Sequence, residues 1–286
     1  MSINRKVTHS VSDGTVARQE TVRVMKTPPV ALTIAGSDPG GGTGIQADLK
    51  VFAAHGCYGT SVVTALTAQN TMGVHDFYLV PPAVVGTQLA AVLDDIPVAA
   101  VKVGMLASAQ AAAEVTARAR HGALPFLVID PVLRSSTGRS LGVRGAIERL
   151  LPYATVITPN REEASALVGW EVTTPADMAG AAAQLSTDLR VTVVVTGGDL
   201  PGADAVDVMW TERGAQPLRA RRVPTQNNHG TGCSFSAAVT ALLAQGAGVE
   251  NAVRLAKEYV ARALTGAVDW KIGAGIGPLD HFEWRR

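Results

Sequence analysis

The chain has 286 residues, of which 47% are hydrophobic and only 17% are charged, and its formal net charge is +1. This composition is typical of a globular protein with a sizeable core and excludes a disordered chain. The near-neutral charge excludes nucleic acid or an anionic membrane as the main partner, and no apolar run approaches the roughly 18 residues of a membrane span.

The first 29 residues differ from the rest of the chain. Residues 1–29 are mixed polar and charged and end in two prolines, so we predict a flexible N-terminal extension that is not a secretory signal. Residues 30–286 contain neither a repeat nor a low-complexity linker and are predicted to form a single domain. The two cysteines, Cys57 and Cys233, have no metal-type spacing and predict a reducing, cytoplasmic environment.

Short apolar runs alternate with amphipathic segments along the predicted domain. Strands are predicted at about 30–35, 58–68, 99–105, 125–129, 155–158, 191–196, 205–210 and 218–223. Helices are predicted at about 43–55, 81–95, 108–121, 143–151, 161–168, 175–189, 233–244 and 249–266. This alternation predicts an α/β fold with a mostly parallel central sheet of about eight strands and helices on both faces. Ligands of such sheets bind beyond the carboxyl ends of the strands.

An unusually glycine-rich loop, Gly36 to Gly44, follows the first predicted strand. The order of strand, loop and helix resembles a dinucleotide site, but the spacing is not G-x-G-x-x-G and no suitably placed acid follows. We expect instead that the backbone approaches a small ligand closely. Asp38 is expected to order the loop through an Asx turn rather than to take part in chemistry.

A second loop with glycines precedes the predicted helix at 233–244. Gly230, Thr231 and Gly232 leave backbone N–H groups at the positive end of the helix dipole, which suits a phosphate. Cys233 lies in the first helical turn, where the same field is expected to favour the thiolate. A glycine loop with a small buried cysteine is the alternative interpretation. His229 is expected to be a hydrogen-bonding loop residue rather than a base.

The glycine loop is the first of several segments that resemble a known protein family. Residues 35–50 resemble the opening of the hydroxymethylpyrimidine/phosphomethylpyrimidine kinases of thiamine biosynthesis, which have a ribokinase-like fold. Further matches follow in the order of that family, at 68–71, 102–106, 130–132, 158–160, 229–233 and 275–278. Together they cover about residues 30 to 282.

The resemblance implies transfer of the γ-phosphoryl group of ATP to 4-amino-5-hydroxymethyl-2-methylpyrimidine, and then to its monophosphate. It implies pyrimidine contacts at Gly36, Asp48, Gln69, Met105 and Val132. It implies binding of the phosphoryl group by Gly230, Thr231 and Gly232, with Cys233 in place of the aspartate base of ribokinase-like sugar kinases. ATP contacts are implied at Asn160, Glu163, Thr196 and Gly197. Mg²⁺ is expected near Glu163, through water or phosphate, and a homodimer is expected.

Two of these assignments have physical support and a competing interpretation. A primary amide such as Gln69 offers one donor and one acceptor, which match the amino group and ring nitrogen of an aminopyrimidine. An amide that only closes a turn is the alternative. Asn160 and Glu163 match the N-x-x-E signature of ribokinase-like enzymes and also form a predicted capping box.

The chain also departs from the family pattern. Thr196-Gly197-Gly198-Asp199 stands where the family has Lys-Gly-Gly-His, so a phosphate-facing lysine is missing. The predicted lid at 133–142 contains Arg134, which could supply the lost charge, and Ser135 and Ser136 where one pyridoxal kinase branch has a cysteine. A pyridoxal kinase of the same fold is therefore one alternative function. A pyrimidine-binding protein without turnover is another.

Overall fold

The computed structural model describes residues 27–133 and 143–284. Residues 1–26 of the predicted extension and residues 134–142 of the predicted lid, including Arg134, Ser135 and Ser136, lie outside the described residues. The division into an extension and a single domain stays a prediction. Among the described residues, no helix is both long and apolar enough to cross a membrane.

The described residues build one sheet with the strand order 3-2-1-4-5-6-7-8-9. Its strands are β1 (Val30–Ser37), β2 (Tyr58–Asn70), β3 (Gly73–Leu79), β4 (Val98–Val103), β5 (Leu127–Ile129), β6 (Val156–Ile157), β7 (Thr192–Val195), β8 (Asp204–Thr211) and β9 (Gly214–Arg221). The strands from β2 through β1 to β7 are parallel, whereas β3, β8 and β9 pair antiparallel with their neighbours. The mostly parallel sheet is confirmed.

The predicted number of about eight strands is corrected to nine, because the sequence analysis missed β3. This strand pairs antiparallel with β2 at the edge of the sheet, and all of its residues are exposed or half-buried. An edge strand that faces solvent has no face that must be apolar. The apolar residues of β3, which are Val74, Phe77, Tyr78 and Leu79, therefore do not alternate with polar ones as in a half-buried strand.

The observed helices agree with the predicted segments to within a few residues at each end. They are α1 (Gly44–Ala54), α2 (Pro82–Leu93), α3 (Ala109–Arg120), α4 (Arg144–Leu150), α5 (Arg161–Val168), α6 (Pro175–Leu189), α7 (Thr231–Ala244) and α8 (Val249–Gly266). Local chemistry fixes several ends. The Ser108 hydroxyl caps α3, Thr174 and Asp177 form a capping box on α6, and Gly169 ends α5 in a left-handed conformation.

Helices cover both faces of the sheet. One core joins β1 residues such as Leu32 and Ile34 to helices α2 to α6, and the other joins Ala31 of the same strand to α1, α7 and α8. Successive side chains of a strand point to opposite faces of the sheet, so Ala31 lies in one core and its neighbour Leu32 in the other. Helix α7 is buried along Ser234–Leu243, so the protein core fixes the direction in which its N-terminus points.

Candidate active site

A cavity of about 690 Å³ lies at the carboxyl ends of the parallel strands. It brings together most of the residues that the sequence analysis selected, namely Gly36, Gln69, Met105, Val132, Asn160, Glu163, Gly230, Thr231, Gly232 and Cys233. Lys102 and Asp130 line it as well. Three selected residues, Asp48, Thr196 and Gly197, do not line it.

The glycine loop, residues 36–44, is ordered by Asp38, as predicted. One carboxylate oxygen of Asp38 accepts the N–H of Gly40 at 2.8 Å, and the other accepts the N–H groups of Gly42 at 3.1 Å and Thr43 at 2.9 Å. The Thr43 hydroxyl also donates to the second oxygen, at 2.9 Å. Asp38 thus acts as the structural centre of the loop.

The glycine loop packs against the second loop, residues 229–233, which we call the anion loop. Gly230 has a φ of +89°, and a Cβ there would lie 1.9 Å from the carbonyl oxygen of Gly42. Gly44 has a φ of +58°, and its Cβ would lie 2.3 Å from the carbonyl oxygen of Gly36. Only glycine fits both positions, since an L side chain would be strained and would collide with backbone.

The anion loop leads directly into α7, whose first residue is Thr231 and whose N-cap is Gly230. The N–H groups of the first turn have no partner within a helix, and they carry the positive end of its dipole. Cys233 is half-exposed in this turn, and the N–H of Gly44 donates to its sulfur. The first turn of α7 is therefore suited to an anion next to a thiol.

A charged cluster, which we define as Asp48, Lys102, Asp130, Glu163 and Cys233, lies next to the anion loop. The ammonium of Lys102 is 2.6 Å from Asp48 Oδ1, and both side chains are fully buried. The second oxygen of Asp48 accepts the Thr33 hydroxyl at 2.6 Å. Asp48 is therefore a partner of Lys102 beneath the cavity wall. The structure therefore does not bring Asp48 to the cavity wall, where a direct pyrimidine contact was expected.

The sequence analysis did not select Lys102 or Asp130 as site residues. Burial alone would lower the pKa of Lys102, but the negative charge of Asp48, with smaller contributions from Cys233 and Asp130, raises it instead. Burial and Asp48 raise the pKa of Asp130 against the opposing effect of Lys102. The sequence does contain a signal for this cluster, since Lys102 lies within the apolar run of β4. A lysine buried there requires an oppositely charged partner.

The expected thiolate at Cys233 is not found. Burial raises the pKa of its thiol to about 12, and Asp130 and Asp48 raise it further, while Lys102 and the N–H of Gly44 lower it. Desolvation and two carboxylates outweigh the attraction of one ammonium and the helix dipole. Cys233 is a neutral thiol in this cavity.

The predicted capping box at the start of α5 is confirmed. The N–H of Glu163 donates to Asn160 Oδ1, and the N–H of Asn160 donates to Glu163 Oε2, both at 2.9 Å. Burial, with a contribution from Asp130, raises the pKa of Glu163 to about 8. The capped Glu163 still lies on the cavity wall beside Asp130. Its place in the capping box is therefore compatible with a role in binding a ligand in the cavity.

The segment that departs from the family pattern does not face the cavity. Thr196 bridges to Asn160, and the N–H of Gly197 donates to Asp207 Oδ1 at 3.0 Å. Asp199 forms an ion pair with Arg161 at 2.5 Å. The N–H of Gly197 is therefore already used, and the structure does not place it at the cavity as a nucleotide contact.

Gln69 and His229 meet across the cavity wall. The Gln69 Nε2 atom is 3.0 Å from His229 Nε2, which confirms His229 as a hydrogen-bonding residue of the anion loop. Burial lowers the pKa of His229, although the carboxylate of Asp38 acts in the opposite direction. Among the described residues there is no group of three or more His, Cys, Asp or Glu side chains that could hold a metal ion.

A mostly parallel sheet, an anion loop at a helix N-terminus and a mixed cavity at the strand ends define a small-molecule kinase of the ribokinase-like class. The solved structure of an ADP complex of Bacillus subtilis pyridoxal kinase has this fold. It matches with a TM-score of 0.81 and 38% identity, over 90% of this chain and 99% of that one. The family model described as phosphomethylpyrimidine kinase matches residues 38–280, and the chain belongs to this family.

Two relatives show how far the similarity extends. The hydroxymethylpyrimidine/phosphomethylpyrimidine kinase of Streptomyces coelicolor is 46% identical over 89% of this chain and 95% of its own length. The chloroplastic thiamine biosynthetic bifunctional enzyme of Arabidopsis thaliana is 44% identical over 94% of this chain. The match spans 53% of that longer enzyme, about half of its length.

Proposed function

We propose that this protein transfers the γ-phosphoryl group of ATP to 4-amino-5-hydroxymethyl-2-methylpyrimidine and then to the resulting monophosphate. One observation carries the proposal. In a chain of the phosphomethylpyrimidine kinase family, a single cavity joins the anion loop and Cys233 to Gln69, Met105 and Val132. A phosphate site and a candidate ring site in one cavity are what a kinase of a small heterocycle requires.

The wall near Gln69 supports recognition of the pyrimidine ring. The amide of Gln69 would bind the amino edge of the ring, and Met105 and Val132 would pack against its faces. Gly36 lets Met105 approach closely, because a Cβ at Gly36 would lie 2.4 Å from Met105 Cε. A larger residue at Gly36 would therefore displace a side chain of the proposed ring site.

The anion loop supports stabilisation of the transferred phosphoryl group. Phosphoryl transfer depends on positioning and charge stabilisation more than on covalent chemistry. The N–H groups at the start of α7 are held in place by the buried helix, so they need little reorganisation during the reaction. Lys102 lines the same cavity and adds a positive charge that Asp48 holds in place.

The proposed Mg²⁺ has suitable oxygen ligands in Asp130 and Glu163. Both carboxyl groups line the cavity. Burial and the neighbouring negative charge raise the pKa of each, so bound Mg²⁺ would have to displace their protons. Mg²⁺ commonly keeps several waters and takes one or two protein carboxylates, so two such groups fit it. When bound, Mg²⁺ would neutralise charge on the phosphates of ATP.

Cys233 is proposed to meet the hydroxyl group of the substrate as a neutral thiol. A loose transition state places little demand on early removal of the hydroxyl proton. Lys102 lowers the pKa of Cys233, whereas Asp130 raises it. Only the thiolate form of Cys233 can accept the hydroxyl proton, and the fraction of that form depends on the charge state of its neighbours in the cluster.

One assay tests the proposal. The protein is incubated with Mg·ATP and the hydroxymethylpyrimidine, and the mono- and diphosphorylated products are separated. We expect both products, with the second formed more slowly, because Thr196 replaces a lysine and the N–H of Gly197 is engaged by Asp207. Binding of the pyrimidine without ATP consumption would instead support a binding protein without turnover.

A pyridoxal kinase activity is the second candidate, because the structure matches that of the Bacillus subtilis pyridoxal kinase with a TM-score of 0.81. The ratio of kcat/KM for the two substrates separates the candidates. We expect the hydroxymethylpyrimidine to be the better substrate. A higher kcat/KM for pyridoxal would replace the proposed function with this one.

The proposed assembly is a homodimer, and the proposed location is the reducing cytoplasm. Apolar side chains are exposed on β2, on β3 and in the turn between them, with Leu66 at 50%, Met72 at 66% and Tyr78 at 63% exposure. A second copy covering this hairpin would remove that apolar area from water. Sedimentation equilibrium of the wild type and of a Met72→Lys, Tyr78→Lys double variant tests the dimer. Two cysteines without a disulfide support the location.

A further inference from the structure

The amide of Gln69 can present either its carbonyl or its amino group to a ligand, depending on its rotation. In the structure the amino group faces two neighbours. Gln69 Nε2 lies 3.0 Å from His229 Nε2 and 3.5 Å from Thr43 Oγ1. The protonation of these two neighbours decides whether this rotation is fixed.

Thr43 can only accept from Gln69, because its hydroxyl proton is used elsewhere. Thr43 Oγ1 donates to Asp38 Oδ2 at 2.9 Å. Only the lone pairs of Thr43 Oγ1 remain available to Gln69, and lone pairs can only accept a hydrogen bond. The amino group of Gln69 can donate to these lone pairs. The carbonyl oxygen of Gln69 in the same position would face them with no proton in between.

His229 also accepts from Gln69. Asp38 Oδ2 is 3.9 Å from His229 Nε2, which is beyond hydrogen-bond distance, and it already accepts two N–H groups and the Thr43 hydroxyl. Burial lowers the pKa of His229, so the ring is neutral at neutral pH. A neutral ring with an unprotonated Nε2 and a protonated Nδ1 accepts the amide hydrogen.

The carbonyl of Gln69 is the end of the amide that these contacts leave available, and Gln69 lines the cavity. Among the described residues its oxygen has one hydrogen-bond donor, the hydroxyl of Thr67 at 3.4 Å, and that hydroxyl donates at the shorter distance of 2.9 Å to the carbonyl of Ser37. We infer that His229 and Thr43 are positioning residues that hold the Gln69 amide with its carbonyl toward the ligand, and so set the preference for a ring that bears an amino group.

This inference rests on the proposed function and deepens it. An aminopyrimidine offers an N–H donor to the fixed carbonyl. Pyridoxal has a phenolic oxygen at the corresponding position, and the ionised form of that oxygen can only accept. Two acceptors facing each other leave a hydrogen bond unmade, and sites built on hydrogen bonds reject such ligands strongly. If the amide could rotate freely, it would serve both ligands and the preference would weaken.

Matched variants test the two positioning residues. His229→Leu removes the acceptor at similar size, while His229→Gln can place an oxygen near the position of the lost nitrogen. Thr43→Val removes the hydroxyl, and Thr43→Ser keeps it. The readout is the ratio of kcat/KM for the hydroxymethylpyrimidine to that for pyridoxal. We expect His229→Leu and Thr43→Val each to lower this ratio by about tenfold, as expected for one lost hydrogen bond.

The change should come mainly from a higher KM for the aminopyrimidine, with a smaller loss of kcat/KM for pyridoxal, because both substrates use the same loops. His229→Gln and Thr43→Ser should restore most of the ratio. An equal loss of activity toward both substrates would overturn the inference, because it would show that the two residues only support the loops.

A measurement without turnover keeps the inference separate from the proposed function. The ¹⁵N resonances of the His229 ring, assigned by their loss in His229→Leu, distinguish the two neutral tautomers. We expect the proton on Nδ1 at neutral pH in the ligand-free protein. A proton on Nε2 would overturn the inference whichever substrate is preferred, whereas a proton on Nδ1 together with no phosphorylation would overturn only the proposed function.

Discussion

The glycine loop and the charged cluster border the same cavity but are held in place differently. In the glycine loop, Asp38 binds backbone groups no more than five residues away, and its contacts lie beside the cavity. In the charged cluster, Lys102 and Asp48 are 54 residues apart and fully buried. The first is a local set of hydrogen bonds at the edge of the cavity, where the contacts of Asp38 with Gly40 and Thr43 are only partly buried, and the second is a fully buried tertiary contact.

This difference governs how each region responds to change. Water from the cavity can replace part of the hydrogen bonding lost in the glycine loop, although Asp38 itself is only 2% exposed, so the net cost is intermediate. Water cannot reach Asp48, and a charge left there without its partner keeps the full penalty of desolvation. Burial also raises the pKa values of Asp130, Glu163 and Cys233, although these three residues line the cavity and Asp48 does not.

The largest expected effect is on the buried ion pair. Lys102→Met leaves the carboxylate of Asp48 without its partner, and we expect a loss of about 3–5 kcal/mol in the free energy of unfolding, measured with urea. Adding Asp48→Asn should recover part of the loss, since the amide still accepts from Thr33. Arg254→Met, which breaks an exposed pair with Glu258, is the control and should change little. Equal losses in the single and double variants would contradict the buried-charge explanation.

The second prediction concerns Cys233, whose removal should slow turnover by about 10²-fold. This is the low end of the range for a general base, because only the thiolate form of Cys233 can accept a proton, its raised pKa makes that form scarce, and the anion loop remains. The folded state should be retained. Cys57→Ala is the matched control, since Cys57 is buried against α7 and should not affect turnover. Unchanged turnover in Cys233→Ala would remove the thiol from the mechanism.

The third prediction concerns pH and Glu163. The folded protein holds the proton of Glu163 up to a pKa of about 8, compared with an ordinary value of 4.5. This contribution to stability is present below the ordinary pKa and is lost as the pH rises through the folded pKa, by at most about 1.4 kcal/mol per pH unit. Glu163→Gln keeps an acceptor for the N–H of Asn160 and should flatten this part of the profile.

Thermal unfolding of the wild type and of Glu163→Gln between pH 4.5 and pH 8 measures this difference. The variant should gain stability relative to the wild type as the pH rises. Its turnover should fall, and its dependence on Mg²⁺ should shift. If the wild type and Glu163→Gln show parallel dependence of stability on pH, and the variant responds normally to Mg²⁺, then Glu163 acts only in the capping box.

The smallest expected effect is in the glycine loop. Asp38→Ala removes the acceptor of three N–H groups, of which that of Gly42 is buried, and we expect a loss of about 1–3 kcal/mol in the free energy of unfolding. The larger consequence should be a higher KM, because the loop would no longer be ordered. A loss as large as that of Lys102→Met would show that the two regions do not differ in their access to water.

Much of the fold was predictable because its signals are local. The helices, the central strands and the capping box of Asn160 and Glu163 follow from hydrophobic period and from residues three apart. The strand β3 was missed because an exposed edge needs no apolar pattern. The boundaries of the short strands β5 and β6 were set by sheet pairing rather than by the length of the apolar runs.

The sequence by itself determined the glycine loop, the N-terminal turn of α7 and the family, since each is encoded in neighbouring residues. Only the tertiary structure decided that Asp48 pairs with Lys102, that Gln69 meets His229 160 residues away, and that the N–H of Gly197 is engaged. It also decided the neutral state of Cys233. The physical reason is that desolvation and charge pairing depend on the environment that the whole fold creates, which no local pattern of residues records.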